Sequence, residues 1–461
     1  MTVTGPEHEA GTETRVEHDK RAAALMWMRQ RNAIAAVGAI AALAAAAAGC
    51  GSSAPSASGG SGSSGKPVSI TYWTSSSQAE IKWLDTHFNA THKNIRVQGQ
   101  YVASADNTTA KEVAAIKSGT EPNVVLGQDP SALPLLAESG KVVDLKQALA
   151  AETSALYPGI KSALFYQGHQ LGLALGGVGD YVLFYNKKDF RQAGISGPPQ
   201  TWTQLEADAI KLSDPARHHY GFYVPLGSSE WISYDWESVL WSDGGTFLNS
   251  QGKVGFNSAA GVAALTTWVN LVRKDHAAPT TSFAQAGSYD GAPAFASNAV
   301  AMIIDGPWAL SPFNTAKIDY GVAQVPAGTA GHSATGIGIG VASVFRKDSA
   351  ADAAAIQFVK WLGTPQTGAY LDATNMGLPS SPDQLSQPAV KKEIASLPTY
   401  QVFADQLKTG QSRPTIPAYA AISQALSDQI SAALSGKVTP AQALAKAAAA
   451  GNQAIAAGTG S

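Results

Sequence analysis

The sequence predicts an α/β protein of two lobes or domains, and three observations predict it. Its 461 residues exceed what one ordinary hydrophobic core organises. Apolar residues make up 45%, which supplies a sizeable core. Short runs of alternating apolar and polar residues are interleaved with segments of helical spacing, the pattern of a largely parallel sheet flanked by helices.

Val68, Ile70 and Tyr72 alternate as in a strand, and the polar run Thr74-Ser75-Ser76-Ser77 ends it. Ser77 and Glu80 have capping-box spacing, and Ile81, Leu84 and Phe88 then mark one face of a helix. A second strand is expected over 95–102, a helix to Ser118, a strand over 123–126 and a helix over 131–138. Further along, a strand fits 181–185, and Thr203-x-x-Glu206 after Pro198-Pro199 reads as a helix start. A Trp- and Gly-rich stretch covers 231–245, helical spacing returns over 262–272, and strands are expected over 299–304 and 320–325. The remainder is mostly helical: Ile356, Val359 and Leu362 share a face, as do Ile422, Leu426, Ile430 and Leu434. The Ala-rich tail over 440–457 reads as a last helix prone to fraying.

The N-terminal region carries a different signal. Residues 33–48 form an uncharged apolar run preceded by Arg29 and Arg31. It is short for a membrane span and suits a signal-peptide core. It ends in Ala47-Ala48-Gly49 before Cys50, the one cysteine of the chain. This resembles a lipobox, which implies cleavage after residue 49 and a diacylglycerol on the Cys50 thiol. Ala47 stands where Leu is more usual. The acidic stretch before Lys20 is unlike a signal-peptide start, so Met26 or Met28 is an alternative first residue to Met1. Residues 51–65 are almost wholly Gly, Ser, Ala and Pro and read, within a 50–66 linker segment, as a flexible tether.

From Val68 onward the order of motifs resembles the family-1 extracellular solute-binding proteins of ABC importers, which include maltodextrin- and glycerol-3-phosphate-binding members. The resemblance is carried by Tyr72-Trp73 with its polar turn, Pro122-Asn123-Val124-Val125, and the run from Leu136 to Leu145. It continues in Phe184-Tyr185-Asn186-Lys187 with Pro199-Gln200-Thr201-Trp202, then in Ala301 to Trp308, Gly336 to Gly340, and Gly377-Leu378-Pro379. It implies two lobes of a type II periplasmic-binding-protein-like fold, a multi-strand hinge and a ligand cleft between the lobes. The expected division places 67–174 and 307–335 in the first lobe and 175–306 and 336–461 in the second.

A sugar needs aromatic plates for its C–H face and polar groups for its hydroxyl rim. Among the ten Trp, Trp73 stands at a strand end beside a helix N-terminus, and Trp231 and Trp236 crowd one segment. Trp241 in that segment reads as core, and Trp202, Trp268 and Trp361 as packing residues. Trp308 follows Gly306-Pro307, where the family pattern sets an aromatic near the cleft. Ser75 and Ser76 sit in the turn after the first strand, and Gln128 and Asp129 at the C-terminal end of the third. The resemblance further implies cleft positions for Asp180 and Tyr181 at the first crossing between lobes. It also implies backbone presented by Gly336 at the second, with Asn375 a weaker candidate. Arg413, beside Pro414, reads as structural.

The expected function is capture of a sugar and its delivery to membrane permeases driven by a cytoplasmic ATPase, at the outer face of the cytoplasmic membrane. A glycerophosphodiester or glycerol phosphate is the rival cargo, with Ser75 and Ser76 at a helix N-terminus as its seat. A surface glycosidase is the rival from another class and would need two positioned carboxylates. No nucleophile elbow, HExxH or paired Cys/His motif is present, so no catalysis, metal or cofactor is expected. With 32 basic against 34 acidic side chains there is no charge excess for nucleic acid. A monomer is expected.

Overall fold

The computed structural model describes residues 66–102, 108–281, 291–375 and 377–458. The expected leader, Cys50, the linker up to Gly65, and Met376 lie outside these residues.

The chain opens with β1 (Val68–Thr74), α1 (Gln78–Thr91), β2 (Ile95–Tyr101), α2 (Thr108–Ser118) and β3 (Val124–Gln128). The Ser77 hydroxyl accepts the Glu80 N–H at 3.2 Å, so the cap read from the sequence starts α1. Ile81, Leu84 and Phe88 are then its buried face. β4 (Leu173–Ala174) leads into the first crossing, β5 (Gly179–Asp180), and on to β6 (Val182–Asn186). The second lobe adds α3 (Trp202–Leu212), α4 (Glu230–Ser242), α5 (Ala259–Val269), β7 (Met302–Asp305) and β8 (Tyr320–Ala323). The chain returns through β9 (Thr335–Gly338) to β10 (Val341–Val344), α6 (Ser349–Leu362) and α7 (Pro365–Asn375). A last crossing, β11 (Gly410–Ser412), precedes α8 (Tyr419–Leu434) and α9 (Pro440–Gly458).

Among the described residues, three sheets of three or more strands form, beside a two-stranded hairpin that pairs Phe165–Tyr166 with His169–Gln170. The first has the order β2-β1-β3-β10-β4; β1 is parallel to β2 and β3, while β10 runs antiparallel to β3 and β4. The second, β8-β6-β7, is antiparallel. The third, β11-β9-β5, is built only from crossing segments, with Ile337 opposite Asp180 and Gly338 opposite Gly179. It is the hinge, and it is crossed three times.

Strand pairing places the segments of the later chain. β8 pairs with β6, so residues 320–323 join the second sheet, while Tyr320 and Val322 pack against the first core. β10 pairs with β3, and Phe358 of α6 packs 5.1 Å from Tyr72 of β1, so 341–362 join the first sheet and its core. The alternation within 320–325 suits either sheet, and only the edge available for pairing decides between them.

Two local expectations change. The first turn of α3 is capped by Thr201, whose hydroxyl accepts the Gln204 N–H at 3.1 Å, while the Gln204 side chain accepts the Gln200 N–H at 2.9 Å. The box therefore lies two residues before Thr203-x-x-Glu206, a start that puts Trp202, Leu205, Ala209 and Leu212 on the buried face. The Ala-rich tail is a docked helix: Ala443, Leu444, Ala447 and Ala448 are buried in the second core. Small side chains allow close approach, and a Cβ on Gly451 would lie 2.8 Å from Val254.

One core fills the first lobe (Ile70, Leu84, Phe88, Val124, Val341, Phe358) and continues through Val182 and Phe184 onto one face of the second sheet. The alternate residue Leu183 faces a second core with Trp236, Trp268 and Leu426. Apolar contact is thus continuous through the hinge, while the polar ends of the first sheet remain free to line a cleft.

Candidate functional site

The C-terminal ends of parallel strands leave a crevice where ligands of open α/β sheets bind. Here the ends of β1 and β3, the crossing at 175–177 and Gly340 enclose a cavity of about 170 Å³. Thr74, Ser75, Ser76 and Glu80 supply its polar wall, and Gly127 and Gly176 its backbone wall. The crossing is held in place by Asp372, which accepts the Gly177 N–H at 2.7 Å. Two roomier depressions, about 690 Å³ beside His169 and Arg346 and about 390 Å³ beside Arg273 and His276, are walled by none of the crossings.

Against the hinge strand β5 stands an aromatic group. Trp308 opens a short helical turn after β7 and is 38% exposed, unusual for so large an apolar ring. It lies against backbone that carries no side chain. A Cβ on Gly306 would fall 2.3 Å from the ring, and one on Gly179 would fall 2.6 Å from it. Buried Tyr181 meets Trp308 edge-on at 5.9 Å and Tyr234 at 4.9 Å. Gly336 serves Tyr234 in the same way, since a Cβ there would meet the ring at 2.6 Å.

The charged element beside this group is Arg413. Its Nη2 lies 2.5 Å from Asp129 Oδ2 and its Nη1 2.9 Å from Glu230 Oε1. Its guanidinium also stands 4.9 Å from the Tyr234 ring centre and 5.8 Å from that of Tyr419. Burial works against the cation, but Asp129, Tyr419, Glu230 and Tyr234 outweigh it and hold Arg413 charged. Behind Tyr234, Glu237 is fully buried; burial and the charge of Glu230 push its carboxyl well up, against the pull of Arg413. Asp235 is pushed up by burial and by Asp305, against the hydrogen bond it shares with Tyr181. Among the described residues no group of three His, Cys, Asp or Glu could hold a metal ion.

Several expected positions do not reach the cleft. Trp236 is fully buried in the second core, edge-on to Phe256, because α4 is buried on every side from Ile232 to Ser242. Gln128 turns inward and donates to buried Glu112. Asp180 is fully buried; the pleat sends it to the face opposite Gly179, beside Ile337, and burial lifts its carboxyl well above the usual range. Tyr181 and Gly336 are buried supports for Trp308 and Tyr234. Trp73 is half-buried, donates to Gln100 Oε1 at 3.0 Å and lies under Lys111, outside the wall of the first-lobe cavity. Trp231 is half-buried on the second core. Asn375 closes α7, and its side chain is not described. The structure does bring together Ser75 and Ser76 in the cavity, and Asp129 with Arg413. Arg413, read from the sequence as structural, pairs with Asp129 and Glu230. Nothing in the sequence signalled this pairing, which joins Asp129 to a residue 284 positions away.

Burial raises the Glu112 carboxyl to about 7, against the lowering effect of its Gln128 hydrogen bond. An acid whose folded pKa is raised loses stability as pH climbs from its ordinary value, 4.5, to about 7. Glu112→Gln should therefore flatten the stability profile between these limits and be the more stable chain at pH 8, by on the order of 2 kcal/mol. Urea unfolding at pH 5 and pH 8 checks this, and parallel profiles for the two chains would refute it.

A two-lobed α/β body with a polar cavity at its first crossing and an exposed aromatic plate against hinge residue Gly179 suits the binding of small solutes. The family of bacterial extracellular solute-binding proteins matches residues 71–369, and the chain belongs to it. Curated relatives include a putative binding protein of Brucella abortus, 30% identical over 33% of this chain and 37% of its own length. The chain thus aligns with little more than a third of that relative. The sn-glycerol-3-phosphate-binding periplasmic protein UgpB of the same species is 21% identical over 55% of this chain and 60% of its own. Among solved structures, the cyclic alpha-maltosyl-1,6-maltose binding protein of Arthrobacter globiformis superposes with a TM-score of 0.77 at 24% identity, covering 85% of this chain and all of that one. The sugar-binding protein MalE of Xanthomonas citri gives 0.74 at 20%, covering 85% and 98%. At these identities the likeness is one of fold.

Proposed function

We propose that this chain captures a neutral sugar in the cleft between its lobes and delivers it to the permease of an ABC importer. Cys50 would tether it by lipid to the outer face of the cytoplasmic membrane. The observation that carries the sugar reading is Trp308, a large ring left exposed while one face rests on Gly179 and Gly306. That geometry suits stacking on the apolar face of a pyranose. Ser75, Ser76 and the glycine backbone of the cavity at the first crossing suit its hydroxyls. The names of several structural neighbours, which speak of maltose and maltodextrin, agree with this reading.

Two features disfavour an anionic cargo, although UgpB is named for one. Arg413 is already paired with two carboxylates, and Glu80 lines the same cavity as Ser75 and Ser76. A phosphate there would meet a negative wall.

The test is a thermal-shift screen of residues 65–461 against mono-, di- and trisaccharides and glycerophosphodiesters. At a hundred times its dissociation constant a ligand adds about 2.7 kcal/mol, a shift of a few degrees. A stabilising saccharide is the expected result. Stabilisation by phosphate esters alone would replace the sugar reading, and no response to any of them would remove its support.

A further inference from the structure

We propose that Asp129, Arg413 and Glu230 form an electrostatic latch that holds the two lobes together when the cleft is empty. The inference rests on the two-lobed fold and not on the identity of the solute.

The three residues come from three parts of the molecule. Asp129 follows β3 of the first sheet, Glu230 is the first residue of α4 in the second lobe, and Arg413 follows β11 of the hinge sheet. One guanidinium reaches both carboxylates through different nitrogens, at 2.5 and 2.9 Å. Separation of the lobes must therefore break at least one charge-assisted hydrogen bond.

Each end is anchored within its own lobe. Asp129 Oδ1 accepts the backbone N–H of Ser131 at 2.8 Å and its hydroxyl at 2.7 Å. Glu230 accepts from the Tyr419 hydroxyl at 2.5 Å and from the Ser423 hydroxyl. Neither carboxylate can follow the other lobe by a side-chain swing without giving up these bonds. Arg413 is held from both sides as well: Ser412 Oγ donates to the Gly159 carbonyl at 2.7 Å, and the Tyr234 and Tyr419 rings flank the guanidinium.

The exposures divide the roles. The Arg413 side chain is only 15% exposed, whereas those of Asp129 and Glu230 are 43% and 42% exposed. Opening would hydrate the carboxylates readily, so the latch is strong enough to bias closure and weak enough to release. A ligand touching both lobes then adds to a closure already favoured, which lowers the reorganisation it must drive.

The test needs no ligand. Nitroxide labels are placed at Lys93→Cys and Lys211→Cys, exposed on the first and second lobes, in the full chain carrying Cys50→Ser. Double electron–electron resonance then reads the interlobe distance. Asp129→Asn keeps a good capping residue but removes the charge that crosses from the first lobe. It is expected to shift the distribution toward the longer distance, lowering the closed-to-open ratio about tenfold. Glu230→Gln should act in the same direction. The unmutated pair should open as salt rises from ~0.05 M to ~0.5 M, an arm that depends on no variant folding. Superimposable distributions for parent and Asp129→Asn at both salts would overturn the latch, and so would lengthening in Glu230→Gln alone.

Discussion

Trp308→Ala should weaken sugar binding tenfold or more while moving the unfolding midpoint by no more than a few degrees. The ring is exposed enough that its removal opens no closed cavity, and its buried face rests on two glycines. Stacking on the apolar face of a sugar is where its contribution would be spent. Trp308→Phe should recover part of the affinity, since it restores a smaller plate in the same place. The measurement is calorimetric titration with a saccharide found by the thermal-shift screen, beside a melt of each variant. Unchanged affinity in Trp308→Ala would remove this residue from the site.

Trp236→Ala is the opposite case and should cost about 3–5 kcal/mol of stability. The side chain is fully buried on α4, edge-on to Phe256 within the second core, and alanine leaves a cavity that the neighbouring helices fill only in part. Affinity for solute, measured on the fraction that remains folded, should change little. Urea unfolding gives the stability difference. A loss below 1 kcal/mol joined to a tenfold loss of affinity would return Trp236 to the cleft. Two tryptophans of similar promise in the sequence thus divide by function, and their burial is what divides them.

The features legible in the sequence were those with a local cause. The Ser77 cap, the alternation of β1, the buried face of α1 and the paired runs of α8 each depend on residues within a few positions of one another. The place of Trp308 was an expectation from the family pattern alone; the structure sets its ring against Gly306 and, from a distant part of the chain, Gly179. Tyr181 and Asp180 were harder. They are neighbours at a crossing, yet the pleat sends them to opposite faces, and only the pairing of β5 with β9 decides which face meets Trp308. Gln128 and Asp129 part in the same way: one turns in toward Glu112 and the other out toward Arg413.

By itself, the sequence determined the alternation of strands and helices, the motif order shared with solute-binding proteins, and the chemistry on offer, which is rich in rings and hydroxyls and balanced in charge. Tertiary structure alone decided which strand joins which sheet, which tryptophan is buried and which residue bridges the lobes. The physical reason is range. Propensity and capping act over one or two turns of chain, whereas Asp129 and Arg413 are brought into contact across 284 positions by sheets and a hinge that no local pattern encodes.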